Sequence, residues 1–106
     1  MKKKTLTEPS CADSKGAEAT NPYVIGTNYF IRTVTHHYTG ELVNVYEHEL
    51  VLKNAAWIPD DGRFTQAVEK GEFLEAEPYP AERLVIINRG ALLDVSEIPV
   101  LPRSQK

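Results

Sequence analysis

The stretch "YTGELVNVYEHELVLKNAAWI", Tyr38 to Ile58, decides the fold. It holds one glycine near its start and no proline. Its apolar residues fall into two groups, "ELVNVY" at 41–46 and "ELVLKNAAWI" at 49–58, on either side of a short polar turn at Glu47–Glu49. Runs of this length and composition, parted by so few residues, predict two antiparallel strands of one hairpin. Gly40 stands where the first strand must bend, since a residue without Cβ tolerates close strand approach and distortion. Leu50, Leu52 and Trp57 are expected to anchor the core.

The same pattern continues outward. "NYFIRTV" at 28–34 is rich in aromatic and β-branched residues and predicts a strand before the hairpin. "THHYTG" at 35–40 reads as a turn-like gap between them. Downstream, "RLVIIN" at 83–88 is short enough for a buried strand, Arg89-Gly90 punctuates it, and "ALLDVSEI" at 91–98 supplies a fifth strand. Five short strands with little helix predict a mainly β protein, a small five-stranded barrel.

One segment interrupts the β pattern, an insertion at 59–82, "PDDGRFTQAVEKGEFLEAEPYPAE". Phe64, Ala67 and Val68 share one helical face. Asp60 and Asp61 stand where a helix start favours negative charge, and Lys70-Gly71 where a helix end favours a cation and a glycine. This predicts two or three helical turns, capped by the aspartates, followed by an irregular acidic loop. From Asp60 to Glu82 there are seven acids and two bases, a local charge of −5. Such a segment is either a solvated surface insertion or a surface that meets a basic partner or a neighbouring subunit.

The two ends differ from the core. Residues 1–22 contain four lysines, three acids, two prolines and, after Met1, one large apolar residue, Leu6. That composition cannot bury enough apolar surface to fold alone, and predicts an arm that is flexible or ordered by a partner. After the barrel domain at 23–98, "PVLPRSQK" at 99–106 predicts an extended tail, because Pro99 and Pro102 disfavour helix. The 106 residues, 42% apolar and 25% charged, suit one small domain. A core this small gains from oligomerisation. No apolar run reaches the roughly 20 residues of a membrane span, and the basic start lacks the apolar core of a secretory signal. Cys11 is the only cysteine, so no internal disulfide forms. The expected location is a cytoplasm, or a particle assembled in one.

Tyr38-x-Gly40-x-Leu42, Val45 and Leu50-Val51-Leu52-x-x-Ala55 resemble the first half of an Sm-like barrel of the LSm or Hfq type, and "VIINRGALLDV" resembles its second half. The two matches cover about 30 residues; other SH3-like small barrels share the pattern. The resemblance implies a ring in which the fourth strand of one subunit pairs with the fifth of the next. The interface would then use Leu84, Val85, Ile86 and Ile87 on one strand and Ala91, Leu92, Leu93 and Val95 on the other. Three features depart from the Sm-like pattern: a polar tail replaces the N-terminal helix, the hairpin turn lacks the Asp and Asn that clasp a base, and 59–82 is a long insertion. "YFIRTVTHHYTGEL", "NAAWIPDDGRF" and "LPRSQK" also resemble small uncharacterised proteins of tailed bacteriophages, a resemblance that implies no activity.

Few residues suggest chemistry. His36 and His37 are adjacent, so on a strand they point to opposite faces and cannot share a metal. His48 is the only other histidine. No phosphate loop, nucleophile elbow or metal-binding histidine pattern is present. The sequence thus implies no enzyme, no metal and no cofactor. Nucleic acid is the sharper alternative. Arg89 and Gly90, with His48 and Asn44, are candidates for holding RNA or a small anionic nucleotide, and Tyr38, Tyr46 and Trp57 for stacking on it. A net charge of −3 opposes that use, since phosphate contacts supply most non-specific affinity. The expectation is therefore a non-enzymatic structural or assembly protein, a homo-oligomer meeting other structural proteins in a larger particle such as a phage virion.

Overall fold

The computed structural model describes residues 21–106. The predicted arm at 1–22 lies outside these residues, except for Asn21 and Pro22, as does Cys11. Six antiparallel strands form one sheet: β1 Asn28–Thr33, β2 His37–Val45, β3 Glu49–Asp60, β4 Glu75–Pro78, β5 Val85–Asn88 and β6 Leu92–Glu97. The one helix, α1, spans Phe64–Lys70, and a 3-10 turn at Arg89–Ala91 joins β5 to β6. The sheet order is β4-β3-β2-β1-β6, with β5 also paired to β3. The mainly β expectation holds, but the sheet has six strands rather than five, and no ladder joins β5 to β6 to close it.

The expected hairpin forms, with Tyr46 N–H donating to the Glu49 carbonyl at 2.8 Å across its turn. Two irregularities shape it. In β3, Asn54 and Ala55 together oppose Gly40, because Glu41 pairs with Lys53 and Thr39 with Ala56. In β2, Val43 is the extra residue, between the Leu42–Leu52 and Asn44–Val51 pairs. Asn54 takes a left-handed φ of 51°, which its short polar side chain tolerates better than most. Gly40 has no room for a side chain, since a Cβ there would lie 2.9 Å from Leu52 Cβ. Gly40 thus permits the close approach that its position in the sequence suggested.

The bulge in β3 has a second effect. One extra residue exchanges the faces of everything beyond it. Leu50 and Leu52 point into a first core with Tyr29, Ile31, Leu42, Ala55 and Ile87. Past the bulge, Ala56 and Ile58 point to the other face, into a second core with Phe30, Ala67, Phe73, Ala76 and Ile98. β3 also changes partner there, from β5 along Glu49–Leu52 to β4 along Ala56–Asp60.

The insertion covers the second core rather than standing off as solvated surface. Ala67 of α1 is fully buried and Val68 packs beside it. Gly71 ends the helix in a left-handed conformation, φ 70°, with its N–H donating to the Ala67 carbonyl. The segment read as an irregular acidic loop contains β4: Ala76 faces inward while Glu75 and Glu77 face out. The C-terminal residues run extended and are held down. Lys106 and Ala76 exchange two backbone hydrogen bonds, and Arg103 donates to the Ala55 and Tyr79 carbonyls at 3.1 and 3.2 Å.

Other expectations are corrected. "THHYTG" is not a gap, because His37–Gly40 already belong to β2. Asp60 and Asp61 do not cap α1, whose N-cap position is Arg63 with no side-chain cap. Asp60 instead accepts from the Gly62 N–H at 3.0 Å, and Asp61 meets His37 Nδ1 at 2.9 Å. Phe64 is exposed under the Arg32 guanidinium, 5.0 Å from the ring centroid, and does not join the buried face. Trp57 is not a core anchor and is 40% exposed.

Candidate functional site

The four candidate anion-binding residues lie near the β2–β3 and β5–β6 turns. The Arg89 N–H donates to the His48 carbonyl at 2.9 Å, and its guanidinium Nη1 to the Tyr46 carbonyl at 2.6 Å. The same guanidinium lies 5.5 Å from the centroid of the Tyr23 ring. Arg89 therefore fastens one turn to the other. The Gly90 N–H donates to Asn88 Oδ1, closing the 3-10 turn. Asn44 donates to the Tyr46 hydroxyl and accepts from the Val45 N–H. The His48 ring is exposed beside Glu47.

Six of the eight candidate interface residues lie on two strands, each paired on one side only among the described residues, β5 with β3 and β6 with β1; Leu84 precedes β5 and Ala91 lies in the 3-10 turn, not on the strands expected for them. Ile87 belongs to the first core, and Val85, Leu92 and Val95 pack against it. Ala91 is half-buried, and its carbonyl accepts from Val34 N–H. The outward residues are Leu84, Ile86 and Leu93, exposed to 57, 67 and 65%. Leu93 is the extra residue of a bulge, between the Arg32–Asp94 and Thr33–Leu92 pairs. A groove of about 330 Å³ runs along β6, walled by Tyr23, Tyr29, Leu92, Leu93 and Val95.

A second groove, of about 430 Å³, opens where β2, β3 and β4 lie side by side. Strand register makes it: Tyr38 is paired with Trp57, and Trp57 with Glu77, so one transverse row carries two aromatic rings and a carboxylate. His36 stacks near Tyr38, with ring centroids 6.2 Å apart and planes at 28°, and lies 6.2 Å from Trp57. Pro78, Tyr79 and Pro80 complete the wall. Burial, and secondarily the nearby Tyr79 hydroxyl, push the Tyr38 hydroxyl above its ordinary pKa. Of the three stacking candidates, Tyr38 and Trp57 meet here, while Tyr46 stands at the far end of the ladder.

Compared with known proteins, the chain matches no family model, no curated protein and no solved structure. Among the described residues, no three His, Cys, Asp or Glu side chains gather where they could hold a metal ion. No helix among them is long and apolar enough to cross a membrane. Sequence reasoning missed Glu77, Tyr79 and the two prolines of the groove. Their one available signal was the alternation Glu75-Ala76-Glu77-Pro78, period two, inside what otherwise reads as an acidic loop.

Proposed function

We propose that the chain is a non-enzymatic assembly module, a small Sm- or SH3-like barrel whose copies join edge to edge in a closed ring within a larger particle such as a phage virion. The fold part is supported by the path β5-β3-β2-β1-β6, in which the five strands expected from the sequence pair in one row with a short turn from β5 to β6, and to which β4 and α1 are additions. The observation that carries the assembly is the pair of one-sided strands. β5 presents Ile86, with Leu84 just before it, and β6 presents Leu93 beside a groove. Exposed strand edges recruit another chain, and a head-to-tail contact that closes leaves no edge free. Residues 1–22 would serve as the arm that reaches a neighbouring protein.

An RNA-binding ring is the weaker reading. Arg89 is tied into the fold, its Nη1 donating to the Tyr46 and Glu47 carbonyls and its guanidinium lying by the Tyr23 ring, and the net charge of −3 opposes a phosphate backbone. A cross-linking experiment tests the assembly. With Cys11 replaced by Ser, single cysteines are placed at Ile86 or at Leu93, and a short bismaleimide is added. Its reach tolerates a register step along the strand. A mixture of the I86C and L93C proteins gives a covalent dimer that neither protein gives alone, and the double variant gives a ladder. No dimer above the single-variant background overturns the β5-to-β6 contact.

A further inference from the structure

The aromatic groove carries a chemistry that ring assembly does not use. Trp57 and Tyr38 stand side by side in the strand register, with Glu77 on the other side of Trp57. Elsewhere in this fold an arginine covers a ring that reaches the surface: Arg32 lies over the exposed Phe64 and Arg89 over the half-buried Tyr23. Among the described residues, no cation covers Trp57 or Tyr38 in that way, and none lies within ion-pair distance of Glu77. The Glu77 carboxylate accepts only a neutral hydrogen bond there, from Gln105 Nε2 at 3.1 Å.

We infer that this groove binds an arginine side chain of a partner protein, its guanidinium stacked on the Trp57 indole and paired with the Glu77 carboxylate. The geometry selects this chemistry in three ways. A planar guanidinium stacks on an aromatic face and still presents a fork of N–H donors to a carboxylate. The surrounding insertion, Asp60 to Glu82, has a charge of −5, which attracts a cationic segment and repels a phosphate backbone. Pro78 and Pro80 flank the slot with surface that donates no backbone hydrogen bond, so the groove selects through stacking and charge rather than by adding a strand. The site requires only one copy of the chain, so it stands or falls separately from the ring.

Trp57 is the only tryptophan, so its fluorescence reports directly on the groove. The probes are N-acetyl-arginine amide, the neutral isostere N-acetyl-citrulline amide, a short polyproline peptide without charge, and an oligouridylate. The arginine probe changes Trp57 emission saturably, citrulline binds about tenfold more weakly or not at all, and added KCl weakens the arginine response. Glu77→Gln, with an unchanged circular dichroism spectrum, weakens the arginine probe by about fivefold or more. No saturable response to arginine overturns the inference. Equal binding of citrulline, or tighter binding of polyproline or oligouridylate than of arginine, overturns it as well. The citrulline comparison uses the wild-type protein, so the test remains decisive even if the Glu77 variant folds poorly.

Discussion

Arg32 joins three parts of the fold through one side chain. Its guanidinium makes a two-pronged pair with Asp94, directly opposite it across the β1–β6 ladder, and lies over Phe64 of α1. Arg32 holds the Asp94 carboxyl below its usual pKa, chiefly by hydrogen bonding; burial opposes this, and the charges of Arg32 and His37 add to the lowering. A carboxyl whose pKa is lowered on folding stabilises the protein above its unfolded value of about 3.9, and that stability is lost as pH falls through the folded value. Both side chains are substantially exposed, so solvent screening keeps the effect at about 0.2–1 kcal/mol. Asp94→Asn is therefore less stable than wild type at pH 7 by that amount in urea unfolding, and the difference fades below about pH 4. Thr39 is the opposite case. It is fully buried in the row Phe30-Thr39-Ala56, and its hydroxyl has no hydrogen-bond partner among the described residues. Leaving a buried hydroxyl unpaired costs about 1–3 kcal/mol. Thr39→Val keeps the shape and removes that cost, so its melting temperature equals or exceeds that of wild type. A marked drop would mean that the hydroxyl has a partner in solution.

At the scale of elements, the β2–β3 pair organises the molecule. Two one-residue bulges bend it, and the bulge at Asn54–Ala55 decides which core each half of β3 serves. Gly40 lies at the closest approach, so Gly40→Ala drives a Cβ against Leu52 Cβ rather than against a flexible side-chain tip. Overpacking of that kind costs about 1–3 kcal/mol, measurable as a shifted urea midpoint, whereas an unchanged midpoint would show the strands free to part. The hairpin, β1, α1 and its Gly71 end were all legible in the sequence, because each carries a local signature: alternation, a helical apolar face, or a glycine past the last turn. What was not legible depends on long-range register. Simple alternation puts Trp57 on the face opposite Leu50 and Leu52. The extra residue at the bulge returns it to their face, yet it emerges at the rim, in the aromatic groove. β4 was hidden because only Ala76 in it faces inward, and its acids and proline look like loop residues. The aspartates before α1 carried a capping signature, but His37, distant in sequence, takes Asp61. Arg103 falls in a tail that looks featureless, yet it donates to two carbonyls of the fold. Arg103→Met removes charged hydrogen bonds from that junction and lowers stability by about 1.5–3 kcal/mol in the same unfolding assay.

At the scale of the whole molecule, β4, β5 and β6 each form a ladder on one side only among the described residues, and the outer side of β4 is covered at Ala76 by Lys106, which leaves β5 and β6 for another copy. β5 and β6 carry two exposed aliphatic side chains, Ile86 and Leu93, and Leu84 stands just before β5, on a domain small enough to gain from association. Because Leu93 and Ile86 are exposed, a lysine at either position leaves the cores intact, and its effect reports on the contact between copies. The aromatic groove lies on β2, β3 and β4 and none of its lining residues belongs to β5 or β6, so ring formation and arginine binding are compatible. The most direct test of the central claim is the mass of the purified protein in solution, by gel filtration with light scattering. The account predicts a closed oligomer for wild type, and monomers for Leu93→Lys and Ile86→Lys with unchanged β-type circular dichroism. A wild-type protein that is monomeric, or an oligomer that both lysine variants leave intact, would contradict it.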